Sequence, residues 1–286
     1  MAIYRGGMFL MSKVLIPAKI YRGYDADLTK TYQADGYLGW EKREFEIDPE
    51  KTAVLVMHAW NCGTPEEYPG VFRSNEYVTR SYEICKNKFP AFLDTVRKSP
   101  LKLIHIVGGG DYYISYPGYK NVQKILEEYN IKNGITGKEV KDTCQQDEIS
   151  RKIKEIITYD AAYGRHNMED INKSRKIRNF ADQAFPQGDE PVAETTEELF
   201  AYCKKEGINH LIYSGFALNA CLQISPCGMV DMFRKGFLCS VAEDLTVALE
   251  TKESIRTEGN KHAQLYMIST IYGLVFESDD IINVFN

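Results

Sequence analysis

His210-Leu-Ile-Tyr-Ser-Gly215-Phe-Ala-Leu-Asn-Ala-Cys221 decides the fold class, because it sets a thiol just beyond the end of a buried strand. Leu211 to Tyr213 is a short apolar run of the kind covered on both faces in a parallel sheet, and Gly215 punctuates its end. Cys221 then falls at the start of the next element. If that element is a helix, its unpaired N–H groups would favour a thiolate and hold a developing oxyanion. A cysteine is equally a small hydrophobe that packs in cores, and on residue type alone that reading competes.

Outward from this stretch the chain alternates strands and helices. Thr52 to Met57 reads as a strand, and Glu76 to Lys98 carries Tyr77, Tyr82, Ile84, Phe89, Phe92, Leu93 and Val96 at helical spacing, with a kink at Pro90. Leu101 to Val107 is a second strand, ending in Gly108-Gly-Gly110. Asn121 to Tyr129 and Asp147 to Ile157 read as helices. Thr196 to Glu206 predicts a helix capped by Thr195 or Thr196 and closed by Gly207, before the strand at 210–214. Met229 to Arg234 reads as a helix, Phe237 to Val241 as a strand, and Ile255 to Phe276 as a long helix with an apolar stripe. The repeated strand–helix order predicts an α/β chain in three α/β/α layers, Rossmann-like, around a mainly parallel sheet of about six strands.

Residues 1–50, rich in Tyr and charge and broken by Gly23, Gly36 and Gly39, read as an extended N-terminal arm suited to an oligomer. Residues 51–286 form one domain with a polar insertion at about 112–187 built over an edge of the sheet. Met11-Ser-Lys-Val resembles a natural start, so the first ten residues read as leader with no role in the fold.

The formal charge of -5 over 286 residues, with Lys and Arg dispersed, argues against nucleic acid as a partner. No apolar run approaches the roughly 18 to 20 residues of a membrane span, and no secretory signal stands at the N-terminus, so a cytoplasmic protein is expected. Seven cysteines without CxxC pairs indicate neither a disulfide framework nor a zinc cage.

In open parallel sheets ligands gather outside the carboxyl ends of the strands. There the sequence offers His58-Ala-Trp60-Asn61, Asp111-Tyr112-Tyr113, Glu194, Cys221 and Asp244. Cys221, His58 and Glu194 have the composition of a nucleophile, its base and the group that orients the base. Trp60, Tyr112 and Tyr113 would line a pocket for a flat or apolar small molecule rather than a highly charged one. Gly108-Gly-Gly-Asp111 lacks a following Lys-Ser/Thr and reads as a flexible strand exit, not a phosphate loop.

The frame xAxN at 58–61, GDxxVAE at 188–194, GFALNACL at 215–222, VAED at 241–244 and KHAQLYMISTIYGLVFESDDI at 261–281 resembles the isochorismatase-like cysteine hydrolases. The resemblance spans roughly residues 50 to 115 and 186 to 282. It implies attack on a carbonyl by Cys221, with oxyanion donors near Ala217 and Cys221 beside a cis peptide joining Phe216 to Ala217. It implies substrate contacts from Trp60, Asn61, Asp111, Tyr113, Phe216, Ala217 and Asn219. The family's catalytic Asp and Lys are replaced here by His58 and Glu194, which leaves a Cys, His, Glu trio as the candidate machinery. Asp111-Tyr112-Tyr113 lacks the imidazole of the family's metal-binding Asp-x-His, so no metal and no cofactor are expected. Pro226 and Gly228 interrupt the helix after Cys221 and weaken its dipole.

These readings predict a divergent cysteine hydrolase opening a C–N amide or similar acyl bond of a small molecule through a Cys221 thioester. Three alternatives or companions stand beside it: an inactive scaffold that binds a ligand or builds an oligomer, a redox sensor pairing Cys221 with Cys227, and, for either enzyme or scaffold, a homo-oligomer of the kind common in the family.

Overall fold

A computed structural model describes residues 13–135 and 147–286. Its strands are β1 (Val14–Arg22), β2 (Gly39–Ile47), β3 (Thr52–Met57), β4 (Trp60–Asn61), β5 (Lys102–Ile106), β6 (Asn179–Phe180), β7 (Val192–Ala193), β8 (His210–Phe216), β9 (Leu238–Val247) and β10 (Val275–Phe276). Its helices are α1 (Pro69–Ser74), α2 (Tyr77–Asn87), α3 (Phe89–Lys98), α4 (Pro117–Lys132), α5 (Glu148–Glu155), α6 (Met168–Ile177), α7 (Thr196–Glu206), α8 (Cys221–Ile224), α9 (Met229–Arg234), α10 (Gly259–Met267) and α11 (Ser278–Phe285). Eight strands form one sheet in the order β2-β1-β10-β9-β8-β3-β5-β7, and β4 pairs with β6 apart from it. The run from β10 to β7 is parallel throughout, as the alternating strand–helix order predicts.

The N-terminal arm is extended but not free. β1 and β2 pair antiparallel from Val14↔Ile47 to Arg22↔Gly39, and Lys19↔Val275 joins the hairpin to the sheet. The cause is a period of two within Leu15-Ile16-Pro17-Ala18: Ile16 and Ala18 are wholly buried in the core while Leu15 faces outward.

Along β3 the side chains part in the same way. Val54 and Val56 join Phe89, Phe92, Ile212 and Phe216 on one side, whereas Leu55 and Met57 join Ile104, Tyr213, Leu199 and Met232 on the other. Two buried layers therefore flank the sheet, giving the three-layer α/β/α build.

Two boundaries differ from the sequence reading. The helix expected over Glu76 to Lys98 divides at Lys88, and Pro90 sits in the first turn of α3, where its missing N–H costs nothing. The long final helix stops short: α10 runs through π-type turns to Tyr272, and Val275–Phe276 is a strand. At Gly273 a Cβ would lie 2.6 Å from the Cys239 carbonyl, and the Leu274 N–H donates to Ser240 Oγ at 2.9 Å. The chain is thus drawn against β9, where Val275 and Phe276 are buried.

Thr195 caps α7 in a capping box with Glu198, and Gly207 closes the helix at φ 73°. Thr195→Ala is expected to cost about 1 kcal/mol, read from the urea midpoint. No helix among the described residues is long and apolar enough to cross a membrane.

Candidate active site

β8 carries the chain to the carboxyl edge of the sheet, with a register shift against β9 between Tyr213 and Gly215. The peptide joining Phe216 to Ala217 is cis, at the position the resemblance implies. The Ala217 carbonyl then accepts from the N–H groups of Ala220 at 3.2 Å and Leu222 at 3.1 Å, which turns the chain tightly into α8. Cys221 opens that helix, and Ser225 ends it just ahead of Pro226. With four residues, α8 has little dipole to offer a thiolate.

Cys221 is nevertheless distinguished by access. Among the described residues Cys62, Cys85, Cys203, Cys227 and Cys239 are buried, and Cys221 alone is partly open. Burial pushes the Cys85 and Cys239 thiols up to about 12, and raises Cys203 and Cys227 as well, so none of these ionises at neutral pH. Cys227, the partner considered for redox pairing, donates its thiol to the Thr195 carbonyl at 3.1 Å. Cys144 lies outside the described residues.

His58 follows β3, the strand next to β8. Its φ is +51°, its N–H donates to the Ile106 carbonyl at 3.0 Å, and its ring stacks on Trp60 at 4.4 Å and 16°. Burial lowers its pKa to about 4; the Val107 carbonyl opposes that shift and the Arg178 guanidinium adds to it. The imidazole is therefore neutral at pH 7, and its Nδ1 is buried without a hydrogen-bond partner.

Trp60 is held from two sides. β4 pairs with β6 through Trp60↔Phe180 and Asn61↔Asn179, and the indole N–H donates to the Tyr112 hydroxyl at 2.8 Å. Arg178, the residue before β6, lays its guanidinium 3.9 Å from the Trp60 ring centre and donates from Nη1 to the Gly109 carbonyl at 3.1 Å. Cys62 is raised by burial and pulled back by the Arg178 guanidinium beside it. The Tyr77 hydroxyl is raised first by burial, then by the thiols of Cys221 and Cys62, while Arg178 lowers it.

Glu194 stands elsewhere than the trio requires. It follows β7, separated from β3 by the whole of β5, a gap of roughly 10 Å at ordinary strand spacing. Burial raises the Tyr113 and Tyr119 hydroxyls first, and the Glu194 carboxylate adds to the shift of both. The role of orienting His58 is accordingly corrected: His58 Nδ1 has no carboxylate on it.

Several expected substrate contacts are also otherwise engaged. Tyr113 is buried in an aromatic cluster with Tyr112 and Tyr119. Phe216 is buried against Phe89, and Ala217 is buried with it. The Asn219 amide exchanges two hydrogen bonds with the backbone of Leu249, at 3.0 and 2.8 Å, and so pins the loop after β9. Asn61 accepts from the Gly63 N–H at 2.9 Å, and Asp111 is exposed in the turn after Gly110. Asp244 pairs with Lys88 at 2.7 Å and accepts from the Ser278 N–H. Trp60 is the expected contact that stacks on His58.

Arg178, Tyr77 and Cys62 are the residues that sequence reasoning missed. Arg178 lies in the stretch read from the sequence as a polar insertion, where a basic residue reads as solvated surface. Only the β4–β6 pairing, local to neither segment, brings it onto Trp60.

No group of three or more His, Cys, Asp or Glu among the described residues is placed to hold a metal ion. No protein-family model matches the sequence. No curated protein matches it either. Solved structures do resemble the fold. A cysteine hydrolase from Pseudomonas syringae pv. phaseolicola is 14% identical with a TM-score of 0.46, over 84% of this chain and 94% of its own. An isochorismatase-like hydrolase from Alkaliphilus metalliredigens is 16% identical with a TM-score of 0.43, over 82% and 97%. An N-carbamoylsarcosine amidase from Thermoplasma acidophilum is 13% identical with a TM-score of 0.39, over 80% and 97%. The solved structures this α/β chain is similar to are thus isochorismatase-family cysteine hydrolases and their kin, and the similarity is one of distant architecture.

Proposed function

We propose that the chain is a divergent isochorismatase-like cysteine hydrolase that opens a C–N amide or similar acyl bond of a small molecule. The observation that carries this reading is the partly open Cys221 at the carboxyl edge of a parallel sheet, among five buried described cysteines. Its neighbour strand supplies His58, neutral and able to accept a proton. Cys221 Sγ attacks the carbonyl carbon while its proton passes to His58 and on to the leaving nitrogen. The C–N bond breaks, and water then cleaves the thioester to free acid and thiol. The reaction as written uses these side chains and water. Cytoplasmic location and a homo-oligomeric state belong to the same proposal.

Cys221→Ala is expected to lower turnover of any amide the protein hydrolyses by at least about a thousandfold. Iodoacetamide is expected to add once, at Cys221, as read by intact mass and peptide mapping. Normal turnover in the alanine variant overturns the reading.

A second reading, a non-catalytic scaffold that binds a small ligand, is favoured by one observation: Nδ1 of His58 has no hydrogen-bond partner. Saturable ligand binding without turnover, unaffected by Cys221→Ala, would select it.

A further inference from the structure

Arg178 is a charge without an internal counterpart. Arg178 makes no ion pair among the described residues, as is also true of Arg43, Arg73, Arg151, Arg175, Arg234 and Arg256, but it is half-buried against the Trp60 ring. Its Nε is buried and unpartnered, and so is Nδ1 of His58 on the same Trp60 ring. Leaving a half-buried guanidinium unpaired is costly, and its Nε and Nη hydrogens form a fork that fits two carboxylate oxygens. The surroundings keep it in place: Trp60 supports its face, Gly109 accepts from Nη1, and a Cβ at Gly109 would collide with it.

We infer that Arg178, held on Trp60 beside His58, receives a carboxylate of the substrate, so that the bond cleaved belongs to an amide bearing an acid group. This rests on the hydrolase reading and narrows it. It also departs from the flat or apolar ligand that Trp60, Tyr112 and Tyr113 suggest in the sequence. Among the described residues Arg178 is the one cation that perturbs His58, Cys62, Tyr77 and Tyr112, and a single positive charge matches a carboxylate better than a dianionic phosphate. His58 and Arg178 share the Trp60 ring, and His58 follows the strand that pairs with the one leading to Cys221.

The test compares two alkylating reagents that differ in charge. The Cys221 thiolate displaces iodide from iodoacetate, which carries a carboxylate, or from iodoacetamide, which does not. With Arg178 as acceptor, the iodoacetate to iodoacetamide rate ratio at Cys221 exceeds that of free glutathione. The ratio falls about tenfold in Arg178→Gln and recovers in part in Arg178→Lys. A wild-type ratio equal to that of glutathione and unmoved in Arg178→Gln overturns the subsite while leaving the reactive thiol intact. Cys221 inert to both reagents counts instead against the hydrolase reading. The subsite is then judged by binding: in Trp40→Phe, whose remaining indole is Trp60, succinamate is expected to change the fluorescence saturably and neutral succinamide is not. The same response to both, or to neither, overturns it.

Discussion

Acidification from pH 6.5 to about 4 is expected to remove several kcal/mol of stability. Three histidines carry the effect. Burial lowers His58 and His210 to about 4 and lowers His105 in the same sense. In the unfolded chain each returns to 6.5. Between those values the unfolded state binds protons that the folded state refuses, so stability rises with pH and is lost as pH falls from 6.5 towards 4. At about 1.4 kcal/mol per unit, His58 and His210 each account for on the order of 3 kcal/mol by the bottom of that window.

Glu190 extends the loss to lower pH. Burial works against its charge, but bonds from His105, Arg97 at 2.6 Å and the Gln187 N–H outweigh it and hold the carboxyl at about 2. Its contribution is present above the unfolded value of 4.5 and disappears as pH falls through about 2. Urea unfolding at half-unit pH steps measures both phases. His58→Gln should remove close to one proton from the uptake between pH 6.5 and 4. Stability that stays flat over that window would show these imidazoles to be solvated.

The middle of the sheet was legible because its central parallel strands are compact apolar runs. Thr52 to Met57 and His210 to Tyr213 need nothing beyond themselves to be recognised, and Thr195, Glu198 and Gly207 write both ends of α7 in local chemistry. β7 and β10 were not legible. Each is two residues long, below the length at which a period exists, and each is made a strand by the edge beside it.

The site divides along the same line. Cys221, His58 and Trp60 sit just past strand ends, so their place on the rim follows from the strands. The partnership of Glu194 with His58 required adjacency, and adjacency depends on strand order: β5 intervenes between their strands. Arg178 required a pairing between segments more than a hundred residues apart, Trp60 with Phe180, that no pattern in either segment announces.

Gly215→Ala is expected to cost on the order of 3 to 5 kcal/mol. Gly215 has φ +108°, and a Cβ built there collides with the Met57 carbonyl and its neighbouring backbone in β3. Both partners are fixed. Met57 is wholly buried and pairs with Gly215 across the β3–β8 ladder, so neither strand can yield without breaking the central pairing. Gly207 provides the contrast: its φ of +73° carries the same backbone penalty, but nothing lies within 4 Å of its Cβ position, so Gly207→Ala should cost only about 1 kcal/mol. Equal urea midpoints for the two variants would show that conformation alone, not the close approach of the two strands, demands glycine at 215. The collision also bears on chemistry, because Met57 precedes His58 and Gly215 leads to Cys221. Iodoacetamide labelling of Cys221 in the folded fraction of Gly215→Ala should therefore differ from wild type, whereas Gly207→Ala, at the far end of α7, should leave it unchanged.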